Sequence, residues 1–298
     1  MPGREGSGRK IMDTTVATGF EDKLVEVEDH SIRYIEDGSG PAVLLFHGAS
    51  LGSSADVYRR TIGPLAAAGF RVIAFDFPGF GLSGYSEDGS VGLKKKTALG
   101  LMDALGLDKA ALVGHSQAGN VAVALGLENP ARISHIMVLG TGSLLPPLEG
   151  GAGQREDAVV QRMDQRMAQV EPGIEDTRKL LEATLFHHDL ITDAELELRH
   201  SRSVGRNFEA FVARNESRAK QPAKGGGGTP LWRRMTELTM PLLLIFGRED
   251  RARAADRCAL LQELEPGLDL HMAEGCKHLV PWDAADLFQD LAVPFLKG

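Results

Sequence analysis

The sequence of 298 residues contains only two cysteines, Cys258 and Cys276. Two cysteines cannot form a disulfide framework, and their spacing suits no zinc motif, so we predict a protein of the reducing cytoplasm. The sequence also lacks an excess of basic charge, because the net charge is −8 and the isoelectric point is near 5.6. Phosphate binding requires a basic face, and a nucleic-acid partner is therefore not expected.

Long apolar runs are lacking too, since no stretch approaches the roughly 18 consecutive apolar residues of a membrane span. The N-terminal residues are polar and glycine-rich with no apolar segment behind them, so we expect a frayed tail over residues 1–20 and no secretory signal. We expect no membrane partner. Apolar residues make up 43% of the chain and charged residues 25%, which is typical of a globular protein with an ample core. We interpret the one basic run, Lys94–Lys96, as a solvated patch at the start of a predicted helix.

Short strand-like segments alternate with helical segments along most of the chain. Leu24–Val27 and Ile32–Ile35 predict a hairpin. Later apolar runs predict buried strands at Ala42–Phe46, Arg71–Phe75, Ala110–Val113, Ile133–Leu139, Leu242–Phe246 and Leu268–Met272. Helices are predicted at Ala55–Ala68, Leu99–Leu105, Gln117–Leu127, Ala255–Leu264 and from about Asp283. This alternation predicts the α/β class, with a mostly parallel central sheet and helices on both of its faces.

The alternation breaks between residues 143 and 238, where charged helical segments dominate and no buried-strand run occurs. Glycine-rich segments at Gly150–Gly153 and Lys224–Gly228 predict flexible loops there. We therefore predict a helical lid at residues 143–238, inserted into an α/β core formed by residues 21–142 and 239–298.

A nucleophile elbow is predicted where the strand at Ala110–Val113 gives way to a helix. The segment Gly114–Ala118, with the sequence GHSQA, follows the G-x-S-x-G pattern except that alanine takes the last position and Gly119 comes one residue later. The sharp turn needs small flanking residues, and alanine is small enough. Such a turn would hold the Ser116 hydroxyl clear of the sheet, with a helix N-terminus behind it. The motif alone leaves open an ordinary serine at a helix N-terminus.

A serine nucleophile needs a base and an orienting acid, and candidates for both follow in the chain order Ser, Asp, His of α/β-hydrolases. Asp250 and His278 each come just after a late predicted strand, so both would face the same sheet edge as Ser116. We predict that these three residues form a catalytic triad. Glu249 and Asp256 are weaker candidates for the acid, and a surface-loop role for His278 is the simpler alternative.

The loop after the strand Ala42–Phe46 is the expected source of one oxyanion-hole amide, and the residue after the nucleophile is the source of the other. We assign these to the N–H groups of Ala49 and Gln117, with Ser50 as the alternative for the first. His47 is interpreted as a structural residue of this loop. The remaining histidines do not cluster with acids at a metal-ligand spacing, so we predict neither a metal nor a cofactor.

Several segments between His47 and Leu296 resemble one known family. They are Gly63–Ile73, Pro78–Phe80, the elbow, Gly247–Arg251 and Gly275–His278. The chain resembles the meta-cleavage product hydrolases, α/β-hydrolases that split a carbon–carbon bond in 2-hydroxy-6-oxo-dienoates formed by ring-cleaving dioxygenases. The resemblance implies a small anionic substrate and is compatible with a homodimer.

In the predicted lid, Leu190–Thr192 followed by Arg199 resembles the segment whose arginine binds the substrate carboxylate in that family. The resemblance makes Arg199 the substrate ligand, and a surface charge is the alternative. Three positions of the site depart from the family pattern. His115 replaces an asparagine before the nucleophile, Leu279 replaces a tryptophan after the catalytic histidine, and Ser50 lies in the usually glycine-rich oxyanion loop. We expect these three residues to line the substrate site.

Three functions are open at this point. The leading hypothesis is carbon–carbon bond hydrolysis, in which the resemblance implies ketonisation of a dienol and attack by Ser116, or by a water, on the remote carbonyl. A carboxylesterase or lactonase is the second hypothesis, favoured by His115 and Leu279. The third is a receptor that senses a ligand in a hydrolase-like pocket, and the intact triad disfavours it.

Overall fold

The computed structural model describes residues 19–149, 166, 169–220 and 228–298. The tail predicted for residues 1–20 lies outside this range except for its last two residues. The two predicted glycine-rich loops also lie outside it, apart from Gly228. No helix of the described ranges has the length and apolar character needed to cross a membrane.

One eight-stranded sheet organises the described residues, in the order β1-β2-β4-β3-β5-β6-β7-β8. The first two strands pair antiparallel with each other and β2 pairs antiparallel with β4, whereas every later pairing is parallel. The strands are β1 (Lys23–Val27), β2 (His30–Asp37), β3 (Ala42–Phe46), β4 (Arg71–Phe75), β5 (Ala110–His115), β6 (Ile133–Leu139), β7 (Leu242–Gly247) and β8 (Asp269–Ala273). The predicted α/β class is confirmed.

Helices cover both faces of the sheet because its central strands are apolar on both sides. Leu44 and Phe46 of β3 belong to the core beneath α2 and α3, whereas Val43 and Leu45 belong to the core beneath α1 and α10. The helices are α1 (Arg59–Ala67), α2 (Val91–Ala104), α3 (Ala118–Glu128), α4 (Ile174–Thr184), α5 (Asp193–Ser201), α6 (Arg206–Lys220), α7 (Leu231–Arg234), α8 (Ala254–Leu264), α9 (Val280–Asp283) and α10 (Ala285–Lys297).

Helix α2 begins at Val91, before both the basic run and the predicted helical segment Leu99–Leu105, because the Ser90 side chain caps it by accepting a hydrogen bond from Leu93 N–H. This longer helix corrects our interpretation of the basic run. Lys94 is only 2% exposed, and its Nζ donates to Gln117 Oε1 over 2.7 Å. The expectation of a solvated patch is therefore wrong for Lys94, because the first turns of α2 pack against the elbow.

The described residues between β6 and β7 form helices and loops, and none of them joins the sheet. Side chains of this segment bind loops of the α/β core. Asn207 donates to Gly81 O over 3.0 Å, and Arg202 donates to Asp56 Oδ2 over 3.1 Å. The core also donates to this segment: the backbone N–H of His278 donates to Thr184 O of α4 over 3.0 Å.

Asp56 is the centre of a buried ion network that joins this helical segment to the core. Arg33 of β2 donates to Asp56 Oδ1 over 2.7 Å, and Arg59 of α1 donates to the same oxygen over 2.8 Å. Arg202, the residue after α5, donates to Asp56 Oδ2. Burial opposes the charged form, but the three guanidinium groups hold the pKa of Asp56 well below its usual range, with Arg33 the largest contributor. Asp56 is therefore ionised at neutral pH.

Asp56→Asn should lower the free energy of unfolding by about 3 to 5 kcal/mol at pH 7, because it removes the buried negative charge that Arg33, Arg59 and Arg202 share. Urea denaturation measures this loss. Asp103→Asn is a matched control: Asp103 pairs with Arg132 over 2.7 Å, but its side chain is 65% exposed. The control should change stability by less than about 1 kcal/mol.

The pH dependence of this loss has a definite sign. A carboxylate with a lowered folded pKa stabilises the fold fully above its unfolded pKa and loses that contribution as the pH falls. The difference between wild type and Asp56→Asn should therefore be complete near pH 7 and shrink below about pH 4. A difference that does not change between pH 7 and pH 3 would contradict an ionised Asp56.

Candidate active site

The elbow between β5 and α3 holds Ser116 in a strained conformation. Its φ angle is 55°, in the left-handed region that a residue with a Cβ seldom adopts. Two hydrogen bonds fix the turn: Ser116 N–H donates to Leu139 O over 2.8 Å, and Thr141 Oγ1 donates to Ser116 O over 2.6 Å. A Cβ at position 114 would lie 2.5 Å from Ala118 O, so Gly114 allows the strand and the helix to approach.

The three predicted triad residues meet at one edge of the sheet, although they lie far apart in sequence. Ser116 Oγ lies 2.9 Å from His278 Nε2, and His278 Nδ1 lies 3.0 Å from Asp250 Oδ2. Ser116 follows β5, Asp250 follows β7 and His278 follows β8, and these parallel strands end at the same edge. The arrangement forms a continuous hydrogen-bonded chain from hydroxyl to carboxylate.

The neighbouring acids are engaged elsewhere. Glu249 Oε2 accepts the Cys276 N–H over 2.9 Å and so holds the loop before the histidine, while Asp256 pairs with Arg253. Asp250 is the carboxylate that reaches His278. Burial opposes its ionisation, but His278 and then Arg251 lower the pKa of Asp250 below its ordinary value, so it is negatively charged at neutral pH.

The loop after β3, predicted to supply an oxyanion amide, lies beside Ser116. A Cβ at Gly48 would lie 3.1 Å from Ser116 Cβ, which shows how closely the two backbones approach. Among the described residues, no acceptor binds the backbone N–H of Ala49 or of Gln117. His47 holds this loop through contacts of both of its ring nitrogens. Its Nδ1 lies 2.6 Å from Gly48 O, its Nε2 accepts Phe77 N–H over 3.0 Å, and burial lowers its pKa to about 3, so it is neutral.

His115 and Leu279 lie behind the triad. His115 is 4% exposed, and its Nε2 donates to His278 O over 2.8 Å. Burial lowers the pKa of His115 to about 3, so the ring is neutral. Leu279 is 5% exposed and packs in the core with Trp282 and Phe288. Both residues are thus buried against or within the histidine loop, and their expected place in the lining of the substrate site stays a prediction.

Arg199 extends from α5 to the loop after β3. Its Nη2 donates to Ser50 Oγ over 3.1 Å and to Leu51 O over 2.9 Å. Its Nε is buried and has no hydrogen-bond partner among the described residues. Burial lowers the pKa of Arg199 to about 10, against the opposing charge of Asp56, and the group stays cationic at neutral pH.

A cavity of about 400 Å³ opens beside the two predicted oxyanion residues. Ala49, Gln117, Phe80 and Phe211 line it, together with two cations: Lys94, which we expected to be solvated, and Arg214, for which the sequence suggested no role. Helical periodicity could have revealed Lys94, because it shares the buried face of α2 with Ala98 and Leu101 once the helix is extended to Ser90.

Comparison with known proteins defines the family. Residues 41–285 match the family model described as the alpha/beta hydrolase fold. Over 262 residues, 87% of this chain and 88% of the relative, the sequence is 34% identical to a 2-hydroxy-6-oxo-6-phenylhexa-2,4-dienoate hydrolase of Burkholderia cepacia. The chain belongs to the meta-cleavage product hydrolases.

Other meta-cleavage product hydrolases match over nearly the whole chain. A 2-hydroxy-6-oxononadienedioate/2-hydroxy-6-oxononatrienedioate hydrolase of Dechloromonas aromatica is 31% identical over 96% of this chain and 99% of its own. A meta-cleavage product hydrolase of Pseudomonas fluorescens, solved with serine replaced by alanine and with acetate bound, is 27% identical with a TM-score of 0.72, covering 92% of this chain and 97% of its own. The resemblance found in the sequence motifs is thus confirmed.

Proposed function

We propose that this hydrolase cleaves the carbon–carbon bond of a 2-hydroxy-6-oxo-dienoate, with Ser116 as nucleophile. The observation that carries the proposal is the hydrogen-bonded chain from Ser116 through His278 to Asp250, in a member of this family. The named relatives act on dienoates of two kinds. One kind carries a phenyl group on the 6-oxo carbon, and the other carries a second carboxylate.

In the proposed reaction, His278 Nε2 takes the proton of Ser116 Oγ as the oxygen attacks the 6-oxo carbon of the ketonised substrate. Asp250 holds His278 in the required tautomer and stabilises its positive charge. The amides of Ala49 and Gln117 would bind the developing oxyanion, and the helix behind Gln117 favours the same charge.

The carbon–carbon bond then breaks, and its electron pair passes into the adjoining unsaturated 2-oxo acid. His278 returns the serine proton to the resulting dienolate, which releases a 2-hydroxydienoate and leaves the acyl group on Ser116. A water molecule, deprotonated by His278, attacks this acyl-enzyme and releases the carboxylic acid. One water is consumed for each bond broken. Serine attack is favoured over direct attack by water because Ser116 Oγ already lies at hydrogen-bond distance from the base.

We also propose that residues 143–238 form a lid and that Arg199 and Ser50 bind the dienoate carboxylate. Arg199 is half-buried on the oxyanion loop, and its unpartnered Nε is a donor in a site from which water is partly excluded. A planar guanidinium can bind a carboxylate through two parallel hydrogen bonds. A cytoplasmic location and a homodimer stay predictions. The free thiols of Cys258 and Cys276 are compatible with that location.

Arg199→Gln should raise KM or lower kcat for anionic dienoates by about tenfold or more, since a charge-assisted hydrogen bond is lost. Neutral p-nitrophenyl esters should be spared. Arg178→Gln, on α4, is the control, because Arg178 forms only loose ion pairs of 3.8 Å with exposed acids. Equal losses on both substrate types would indicate that Arg199 only supports the oxyanion loop.

The test of the proposed reaction is a panel of coloured ring-fission dienoates assayed beside p-nitrophenyl esters. A carbon–carbon hydrolase should bleach at least one dienoate with a kcat/KM above that for every ester. The competing carboxylesterase or lactonase function predicts efficient ester hydrolysis with no bleaching. A ligand-sensing protein would turn over neither class.

A further inference from the structure

The cavity beside the oxyanion residues contains cations without carboxylate partners. Lys94 Nζ donates to the neutral Gln117 side chain and lies 5.4 Å and 5.5 Å from the ring centres of Phe77 and Phe80. The guanidinium of Arg214 lies 4.0 Å from the centre of the Phe80 ring, and its Nη1 donates to Gly79 O over 2.7 Å. Neither cation forms an ion pair within the part of the chain that the structure describes.

The other charged groups of this cavity lie at its exposed rim. Glu87 accepts a hydrogen bond from Tyr85 Oη, Asp88 accepts two from Ser90, and Arg218 is an exposed cation. Inside the cavity, the charge comes from Lys94 and Arg214. The interior is therefore positive, although the whole chain carries a net charge of −8.

Burying a cation without a counter-ion is unfavourable, and this cost lowers the pKa values of both Lys94 and Arg214. Burial lowers the pKa of Lys94 to about 7, with the nearby Arg214 contributing, while Asp88 opposes the shift. Burial also lowers the pKa of Arg214 to about 10. A bound anion would compensate both cations, whereas an apolar group that filled the cavity would leave them further from water and still unpaired.

We propose that this cavity is a second anion-binding subsite, and that the substrate is a dienoate whose acyl side carries a second carboxylate. The inference rests on the proposed function and selects the dicarboxylate class over the aryl class. Ala49 and Gln117, whose amides would bind the 6-oxo oxygen, line this cavity, whereas Arg199 does not. With the oxyanion at these amides, a substrate can extend its 2-hydroxydienoate end towards Arg199 and its acyl end towards Lys94 and Arg214.

The first experiment compares two dienoates that differ only on the acyl side, one ending in a carboxylate and the other in a methyl group. The wild-type enzyme should favour the dicarboxylate by about tenfold or more in kcat/KM, which corresponds to one charge-assisted hydrogen bond. Lys94→Met and Arg214→Gln should each remove most of this preference. Lys95→Met, one residue along α2 at a partly exposed position paired with Glu128, should keep it.

The ratio of the kcat/KM values for the two dienoates distinguishes binding of the second carboxylate from a purely structural role at the elbow. Lys94 contacts Gln117, so a purely structural role would lower turnover of both dienoates equally in Lys94→Met. Arg214→Gln makes the same test without touching Gln117. Equal kcat/KM values for the two dienoates in wild type, or equal losses for both in the two variants, would overturn the second subsite.

Inhibition by product-like acids tests the subsite without any dienoate. Cleavage of a dicarboxylate of suitable chain length would release succinate, so succinate should inhibit p-nitrophenyl butyrate hydrolysis at least about tenfold more strongly than butyrate does. Lys94→Met and Arg214→Gln should abolish that difference. If succinate is selected but no dienoate is bleached, the subsite stands and the carbon–carbon reaction fails. If dienoates are bleached and succinate inhibits no better than butyrate, the subsite fails alone.

Discussion

Ser116→Ala should lower kcat for dienoate cleavage by about four to six orders of magnitude and leave the unfolding midpoint almost unchanged. Losses of this size are usual when a triad nucleophile is removed, because the base then has no hydroxyl to activate. The fold should survive, since the turn is fixed by backbone groups at Leu139 and by the Thr141 hydroxyl, and alanine presents the same Cβ in the left-handed conformation.

Ser143→Ala is the matched control for this loss. Ser143 is an exposed serine close to the elbow, and its Oγ accepts a hydrogen bond from Asn120 of α3 over 2.7 Å. Its kcat should stay within about threefold of wild type, because surface substitutions usually have small effects. Near-normal turnover by a correctly folded Ser116→Ala would exclude a serine nucleophile and leave direct attack by water.

Asp250→Asn should lower kcat by about 10⁴-fold, the second largest effect that we expect. Asparagine keeps the shape of aspartate, but it removes the charge that stabilises protonated His278. It can also present an N–H to Nδ1 and so favour the wrong tautomer. The 3.0 Å contact between Asp250 Oδ2 and His278 Nδ1 is the geometric basis of the prediction.

Glu249→Gln is the control next to it in sequence. Glu249 Oε2 accepts the Cys276 N–H, and an amide oxygen can accept the same bond, so activity should fall by less than about tenfold. A larger loss in Glu249→Gln than in Asp250→Asn would reassign the acid. It would leave the serine and histidine assignments intact.

Much of the fold could be predicted because its buried parallel strands are continuous apolar runs. The five residues of β3, Ala42–Phe46, are all buried, and their predicted bounds are the observed ones. The meeting of Ser116, Asp250 and His278 could be predicted for a related reason. Each follows a strand, and parallel strands bring their C-terminal ends to one edge.

Contacts between residues that lie far apart in the sequence could not be predicted in the same way. Asp56 binds Arg33, which is 23 positions earlier, and Arg202, which is 146 positions later, and no local pattern links such charges. The burial of Lys94 could not be predicted because nothing in its sequence context distinguishes it from Lys95 or Lys96 until the packing of α2 is known. The burial of His115 and Leu279 likewise depends on how the histidine loop packs onto β5.

The most direct test of the account is the product stoichiometry of wild-type enzyme with a purified 2-hydroxy-6-oxo-dienoate, measured by chromatography as the colour is lost. Cleavage through Ser116 should give one carboxylic acid and one 2-hydroxydienoate for each substrate consumed, and the Ser116→Ala protein should give neither above background. Loss of colour without an equivalent of carboxylic acid, or unchanged substrate beside rapid hydrolysis of p-nitrophenyl esters, would contradict a carbon–carbon bond hydrolase.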